Sequence, residues 1–216
     1  MTPLYRIGWI FFRTVGCLGF RCRYHNPEQV PARGPAILAA NHCSYLDPPL
    51  VGAGLRRDLH YLARESLFEL PLLGALLRRV NVVPVDRDGG GAAGLRAILN
   101  RLLADQAILL FPEGTRSPDG QLQTARSGIG LIVIRSSAPV VPVRIFGSFN
   151  AWGRSRRLPR PTPIQIKYGP PLNFAGLRDE ARTCSKTRLK TLYQEATDQV
   201  MGGIRQLEPF TDKRAF

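Results

Sequence analysis

The sequence predicts an α/β fold, a single domain in which a mostly parallel or mixed sheet is covered by helices. The length of 216 residues fits one domain. A hydrophobic fraction of 44% supplies enough apolar residues for a core, which excludes a chain that is disordered throughout. Strand-like and helix-like segments alternate along the chain, and no segment repeats another.

Residues 3–20 are the most apolar stretch of the chain and predict an N-terminal helix. One side of this helix carries an apolar stripe made of Leu4, Ile7, Phe11, Val15 and Leu18. Arg6 and Arg13 share the opposite side. Aromatic residues beside arginines favour a helix that lies in the plane of a membrane interface, and a core helix of a soluble domain is the alternative that this segment leaves open.

This segment is too short and too charged to cross a bilayer. Its eighteen residues would span about 27 Å as a helix, whereas the hydrocarbon core is about 30 Å thick, and Arg13 would lie inside it. Arg13 also interrupts the apolar region that a signal peptide needs, and no Ala-x-Ala cleavage site follows.

Short apolar runs bounded by Gly, Pro or polar residues predict the strands. They lie at 36–40, 59–63, 82–85, 107–111, 140–146 and 164–168. Because strands and helices alternate, most of these strands are expected to run parallel.

Apolar residues at helical spacing predict the helices between these strands. The leucines at 67–77 indicate one helix, with Pro71 as a kink or boundary. Further helices are predicted at 92–104, 128–136 and 185–207. The segment 148–163 is predicted to be an irregular, basic loop. The predicted units are therefore an N-terminal helix at 1–20, an α/β domain at 21–208 and a tail at 209–216.

The net charge of +14 and the pI of about 10.6 predict an anionic partner, which could be nucleic acid, an anionic membrane surface or a phosphorylated substrate. The four cysteines form no Cys-x-x-Cys pair, and no zinc-site spacing is present in the sequence. We therefore expect reduced thiols, no metal and no cofactor.

The first motif, Asn41-His42-Cys43-Ser44-Tyr45-Leu46-Asp47-Pro48, follows the first predicted strand of the domain. Sites in open α/β sheets form at such strand ends. A turn of five residues can return the Asp47 carboxylate to the His42 imidazole, which fixes the tautomer and leaves the other ring nitrogen to take a proton. The alternative is a packed histidine and an aspartate that caps the helix begun by Pro48.

The second motif, Phe111-Pro112-Glu113-Gly114-Thr115-Arg116-Ser117, follows another buried strand. It offers a carboxylate, a flexible backbone N–H, a hydroxyl and a cation, which together suit a phosphorylated ligand. A third strand end, Val85-Asp86-Arg87-Asp88, adds another arginine. Taken alone, either motif could be an ordinary turn or a solvated charge cluster.

Signatures of several other enzyme classes are absent from the sequence. It contains no Gly-x-Ser-x-Gly elbow, no phosphate-binding loop ending in Gly-Lys-Ser/Thr, and no dinucleotide-binding Gly-x-Gly-x-x-Gly. Ser44 lies two residues from His42, so a serine-hydrolase triad is not favoured.

Taken together and in order, these motifs resemble the glycerolipid acyltransferase family of the lysophosphatidate acyltransferase type. Residues 41–47 match its Asn-His-x-Ser-x-x-Asp block, and 111–117 match its Phe-Pro-Glu-Gly-Thr-Arg-Ser block letter for letter. Residues 67–80, followed by 83–87, are similar to its second block, which ends in an arginine. Val141-Pro142-Val143 with Gly147 is similar to its fourth block, a strand with a proline. The resemblance covers about half of the chain. Arg64 and the segment 123–128 depart from lysine-bearing positions that the family commonly has.

The resemblance implies transfer of a fatty acyl group from acyl-CoA or an acyl-carrier protein to the free hydroxyl of lysophosphatidate, with these thioesters as co-substrates. It implies that His42 is the base and that Asp47 orients it. It also implies that the acceptor phosphate is bound by a set of five residues: Arg87, Glu113, Gly114, Thr115 and Arg116. The protein is then expected to be monotopic on the cytoplasmic face of the inner membrane.

Three alternatives stay open at the level of the sequence. The acceptor could be another lysolipid, such as a lyso-amino-acid lipid. A membrane-bound esterase or thioesterase could use the same His-Asp pair on water. The charge of +14 would also suit a nucleic-acid-binding module, although that function would leave the His-Asp motif unexplained.

Overall fold

The computed structural model describes residues 1–85, 92–125 and 128–210. The helices in these residues are α1 Pro3–Phe20, α2 Asp47–Ala53, α3 Pro71–Arg79, α4 Ala92–Leu103, α5 Gly128–Arg135, α6 Ser148–Trp152, α7 Ala175–Glu180 and α8 Lys186–Gln206. The strands are β1 Arg23–His25, β2 Ala36–Ala40, β3 Leu59–Arg64, β4 Val82–Val85, β5 Ala107–Leu110, β6 Val140–Phe146 and β7 Gln165–Tyr168. Two 3-10 turns lie at Pro27–Gln29 and Glu65–Phe68.

These strands form one seven-stranded sheet in the order β1-β7-β6-β2-β5-β3-β4. The neighbouring strands from β6 to β4 all run parallel, whereas β7 is antiparallel to β6 and carries β1 parallel to itself. The predicted α/β class with a mixed, mostly parallel sheet is therefore confirmed. Because β2, β5 and β6 are parallel neighbours, the residues that follow their carboxyl ends meet at one edge of the sheet.

The two faces of the sheet bury separate apolar layers. Alternate side chains of β2 belong to different layers, as the two-residue period of a strand requires. Ala36 and Leu38 pack with residues of α1 and α2, while Ile37 packs with residues of α4, α5 and α8. All five residues of β2 are fully buried. Such a strand reads as a continuous apolar run, which is why the sequence locates it so well.

The predicted strands agree with the observed ones to within one residue at each end, and so do the helices at 92–104, 128–136 and 185–207. The leucine-rich segment behaves differently, because Pro71 begins α3 after a separate 3-10 turn. The prediction of an irregular loop at 148–163 is wrong at its start, where α6 forms. The short elements β1 and α7 were not predicted, since three to six residues show no clear period.

The N-terminal helix α1 has the predicted bounds and packs along the domain through one side. Trp9 Nε1 donates to the Leu55 carbonyl at 2.7 Å, and Arg13 Nη1 donates to the Ala53 carbonyl at 2.8 Å. The hydroxyl of Tyr5 accepts the Leu59 N–H at 3.0 Å. Arg13 therefore faces protein, because its guanidinium satisfies a carbonyl at the end of α2.

The outer side of α1 is apolar and exposed, and it includes Ile7, Ile10, Phe11 and Leu18. Helix α1 therefore has a feature of each alternative that the sequence left open. One of its sides packs against the domain, as in a core helix, and the other side is apolar and exposed, as in an interfacial helix. No helix in the described part of the chain is long and apolar enough to cross a membrane.

Candidate active site

The candidate site begins where β2 ends, and Asn41 fixes its position. The Asn41 side-chain oxygen accepts the Ile145 N–H at 2.7 Å, and its amide nitrogen donates to the Ile145 carbonyl at 3.1 Å. The buried side chain thereby acts as one more pair of ladder bonds between β2 and β6, beyond the last residue of β2. The backbone just before His42 is therefore fixed to the edge of the sheet.

His42 and Asp47 form a hydrogen-bonded contact at the centre of the site. His42 Nδ1 lies 3.0 Å from Asp47 Oδ2, and the aspartate is completely buried. The same oxygen accepts the N–H of Cys43 at 2.6 Å and of Ser44 at 2.7 Å. Three donors converge on one carboxylate oxygen, so the Nδ1–H tautomer of His42 is favoured and Nε2 is left as the acceptor.

The His42 ring is held on its face as well as at its edge. It stacks on the Phe111 ring at 4.0 Å between centroids and 18° between planes. Phe111 follows β5, so the neighbouring strand supplies this support. A ring that is stacked and hydrogen-bonded at Nδ1 has little rotational freedom, which suits a positioned base.

Asp47 differs in one respect from the expectation that it caps the helix. Leu46 occupies the N-cap of α2, and Asp47 is the first helical residue, with its carboxylate turned back to the preceding loop. The sequence prediction that a five-residue turn returns this carboxylate to His42 is confirmed as geometry.

The side chains of Ser44 and Cys43 have structural roles in the loop that follows His42. Ser44 Oγ donates to the Trp152 carbonyl at 2.8 Å and accepts the Leu46 N–H at 3.1 Å. Burial, together with the carboxylates of Asp47 and Glu113, raises the pKa of the Cys43 thiol to about 12. The thiol therefore stays protonated at neutral pH, and neither side chain is set up as a nucleophile.

The second motif is bonded to both sides of the His42 backbone. Glu113 Oε1 accepts the His42 N–H at 3.2 Å, and the Ser117 N–H donates to the His42 carbonyl at 2.7 Å. Glu113 is buried, and this burial raises its pKa to about 7. The predicted substrate-binding residue Glu113 is thus in position to hold the His42 loop.

Gly114 and Thr115 form the turn of the second motif. Gly114 has a φ of +68°, a left-handed conformation that favours glycine, and its N–H donates to the Phe111 carbonyl at 2.9 Å. Its N–H is therefore occupied by the turn, which disfavours the predicted use of the Gly114 backbone as a donor to the acceptor phosphate. Thr115 is exposed beside it.

Arg116 lies against the first motif. Its guanidinium carbon is 3.5 Å from the centroid of the Tyr45 ring, and Tyr45 in turn contacts Trp152 of α6. Arg116 Nη1 is buried without a hydrogen-bond partner in the described part of the chain. A fixed cation with an unused donor, next to the His42 loop, is what binding of a substrate phosphate requires.

Arg87, the remaining predicted phosphate ligand, lies outside the described residues, and so does the predicted loop that contains it. β4 ends at Val85 on the same edge of the sheet as β2 and β5. The role of Arg87 stays a prediction.

Sequence reasoning missed Arg144, a half-buried residue of β6. Its positive charge lowers the pKa of Glu113 and so partly opposes the effect of burial. Its Nε and Nη1 atoms are buried and have no partner among the described residues. Arg144 stands inside an otherwise apolar strand, so its position in the letters Val-Pro-Val-Arg-Ile was the one available signal.

No three His, Cys, Asp or Glu side chains in the described ranges are grouped so as to hold a metal ion. The groups that converge at this edge of the sheet are a tethered imidazole, two buried carboxylates and two arginines. Such a set can remove a proton from a hydroxyl and bind a neighbouring anion.

Comparison with known proteins gives consistent results. A sequence model described as acyltransferase matches residues 21–146. The chain is 33% identical to a 1-acyl-sn-glycerol-3-phosphate acyltransferase of Limnanthes alba over 78% of the chain and 62% of that protein. It is 27% identical to the Bacillus subtilis protein of the same name, over 88% of the chain and 90% of that protein. The chain thus spans about three fifths of the Limnanthes relative.

The fold also has a counterpart among solved structures. The crystal structure of the 1-acyl-sn-glycerophosphate acyltransferase PlsC from Thermotoga maritima superposes with a TM-score of 0.72 at 23% identity. The match covers 95% of this chain and 81% of that one. At this identity the likeness shows the shared fold.

Proposed function

The chain belongs to the acyltransferase family, and from that premise we propose that it transfers a fatty acyl group from an acyl thioester to the free hydroxyl of 1-acyl-glycerol-3-phosphate. The product would be phosphatidate, a precursor of phospholipids. The family model spans more than half of the chain, and the relatives named above carry this activity in their names. The observation that carries the proposal is the His42–Asp47 contact at 3.0 Å, with the imidazole stacked and its second nitrogen free to accept a proton.

The reaction would proceed in one addition and one elimination. The acceptor hydroxyl attacks the thioester carbonyl while His42 Nε2 takes its proton, and the buried Asp47 carboxylate stabilises the resulting imidazolium. The tetrahedral intermediate then expels the thiolate, which recovers the proton from His42. One C–O bond forms and one C–S bond breaks, and no acyl-enzyme is needed.

The acceptor phosphate would be bound by Arg116, whose unpartnered Nη1 can donate to a phosphate oxygen. Arg87 and Thr115 remain proposed ligands of the same phosphate. Glu113 would act mainly on the enzyme, because its carboxylate accepts the His42 N–H and would repel a phosphate at close range. The donor is proposed to be an acyl thioester of coenzyme A or of acyl-carrier protein.

The enzyme is further proposed to work as a monotopic protein on the cytoplasmic face of the inner membrane. Moving a lysolipid tail into water costs about 0.8 kcal/mol per CH₂, so an enzyme at the bilayer surface avoids much of that cost. The exposed outer side of α1 supports this placement. Trp9 would contribute little to this contact, because its indole N–H is bonded to the domain.

The segment 149–157 carries aromatic and basic residues that would assist membrane binding. The aromatic part of this contact would be small, because Trp152 packs against the core layer beside α2 and against Tyr45. Arg154 and Arg157 are exposed and remain available to an anionic surface.

The test is mass spectrometry of the lipids formed from one acyl donor and a panel of lysolipid acceptors. We expect phosphatidate from lysophosphatidate as the fastest product. Preference for a lyso-amino-acid lipid would replace the proposed acceptor and keep the reaction. Release of free fatty acid at the same rate with and without acceptor would instead identify a thioesterase and refute the transferase.

A further inference from the structure

Helix α3 presents its apolar side chains to solvent instead of to the core. Leu72 is 90% exposed, and Leu70, Leu73 and Leu76 are also exposed. Gly74 is the buried residue of this helix, and it packs so closely that a Cβ there would lie 2.3 Å from the Phe68 carbonyl oxygen. A surface helix normally places its leucines on the core side. In α3 the glycine side faces the protein and the leucine side is uncovered.

We define the α3 patch as Leu70, Leu72, Leu73 and Leu76 together with Arg78 and Arg79. The two arginines lie in the last turn of the helix, and α3 itself carries no acidic residue. Glu65 and Glu69 precede the helix, in the connection from β3. Clustered apolar exposure beside basic residues marks an interaction site rather than ordinary surface.

The α3 patch lies on the same side of the sheet as α1. A right-handed crossover from β3 to β4 puts α3 on the face that α2 occupies after β2, because both connections progress in the same direction across the sheet. The opposite face of β4 is covered by α4, whose Gly94 lies against Val85. The two helices that expose the most apolar surface therefore belong to one side of the molecule.

We propose that the α3 patch is a second membrane-binding surface, which inserts its leucines into an anionic bilayer while Arg78 and Arg79 contact lipid phosphates. The charge of the helix and its place beside α1 select an anionic lipid surface as the occupant. The inference rests on the proposed function in taking the substrate to be a membrane lipid.

Two separate contacts would also fix the orientation of the enzyme. The N-terminal amine of Met1, two residues before α1, pairs with Asp58 just before β3, at the amino edge of the sheet. α3 begins just after the carboxyl end of β3, on the edge where His42 lies. Contact through both helices would hold the His42 edge against the membrane, whereas α1 alone would leave the molecule free to tilt.

The experiment is cosedimentation of the full chain with vesicles of phosphatidylcholine and phosphatidylglycerol. The double variant Leu72→Asn with Leu76→Asn should bind at least ~10-fold more weakly, since the burial of two leucine side chains is lost. The matched control is Leu103→Asn, which changes a leucine that is 84% exposed on α4, on the other face. The control should bind like the unaltered protein, and circular dichroism should show that all three proteins are folded.

Equal vesicle binding by the α3 variant and the unaltered protein would overturn the inference, and so would an equal loss in the Leu103→Asn control. A change of oligomeric state in the α3 variant with unchanged vesicle binding would instead make the patch a contact between chains. Failure of the unaltered protein to bind vesicles would refute both this inference and the membrane placement. Patch-dependent binding by a protein that acylates no lysolipid would support the inference and refute the proposed function.

Discussion

At the scale of single residues, the Asp47 carboxylate is the most constrained group of the site. It accepts three hydrogen bonds through Oδ2 and is completely buried, so it organises the His42 loop, and in the proposed reaction it would stabilise the imidazolium. An asparagine would keep the size of the side chain but lose the negative charge that stabilises the imidazolium.

Asp47→Asn should therefore lower kcat by at least ~100-fold, within the range that positioned acid–base catalysis contributes. The KM for the acceptor should change much less, since Asp47 has no place in the proposed phosphate site. Initial-rate kinetics measures both quantities, and thermal unfolding shows whether the variant is folded. A folded Asp47→Asn protein with near-normal kcat would remove Asp47 from the mechanism.

Arg116 offers a prediction about the acceptor. Arg116→Ala should chiefly raise KM for lysophosphatidate, because a charge-assisted contact to its phosphate is lost. The loss in kcat/KM should be smaller for a monoacylglycerol acceptor, which lacks the phosphate. Steady-state rates on the two acceptors give the comparison, and equal losses on both would show that Arg116 is structural, for instance as the partner of Tyr45.

Glu113 makes stability depend on pH. Its folded-state pKa of about 7 lies above the ordinary value of 4.5, because burial disfavours the charged form. Between these values the unfolded chain releases the proton and the folded protein keeps it, so stability falls as the pH rises from about 4.5 to 7. The Tm difference between Glu113→Gln and the unaltered protein should then increase from pH 5 to pH 8 in favour of the variant. A constant difference would show that Glu113 is not perturbed.

At the scale of elements, the sequence predicts what depends on local pattern. β2 is a fully apolar run after Gly34-Pro35, and α8 repeats its apolar side chains over 21 residues, so both were located to within a residue. The three residues of β1 are held by pairing with residues of β7 that lie 142 positions further along the chain, so no local signal could identify them.

In the candidate site, too, local contacts could be predicted from the sequence and long-range contacts could not. The His42–Asp47 contact closes over five residues and is readable from spacing. The bond from His42 to Glu113 joins positions 71 apart and exists because β5 pairs with β2, which is a property of the sheet order. The contact between Arg116 and the Tyr45 ring likewise forms because the strands that precede them, β5 and β2, are neighbours in the sheet.

Substitutions on the two sides of α1 are expected to have opposite effects on vesicle binding and on stability. Ile7→Asn with Phe11→Asn changes exposed residues, so it should weaken vesicle binding with little effect on Tm. Tyr5→Phe removes the hydroxyl that accepts the Leu59 N–H, so it should lower stability by about 1–3 kcal/mol with little effect on vesicle binding. Vesicle cosedimentation and thermal unfolding of both variants test this, and a reversed pattern would mean that the sides of α1 are wrongly assigned. Deleting α1 would confound the two effects.

At the scale of the whole molecule, the charge of +14 and the apolar surfaces of α1 and α3 have one common explanation in the proposed function. An anionic bilayer would attract the arginines and receive the exposed leucines, and the acceptor lipid would be delivered to the His42 edge of the sheet. The electrostatic part of this attraction is screened by salt over about 8–10 Å, whereas the apolar part is not.

The proposed function depends on His42 acting as the base for acyl transfer. The most direct measurement is the rate of phosphatidate formation by His42→Ala, followed by mass spectrometry with lysophosphatidate and an acyl thioester at saturating concentrations. We expect kcat to fall by at least ~100-fold in a protein that is folded and still binds vesicles. Substantial phosphatidate formation by folded His42→Ala would contradict the mechanism proposed for this site.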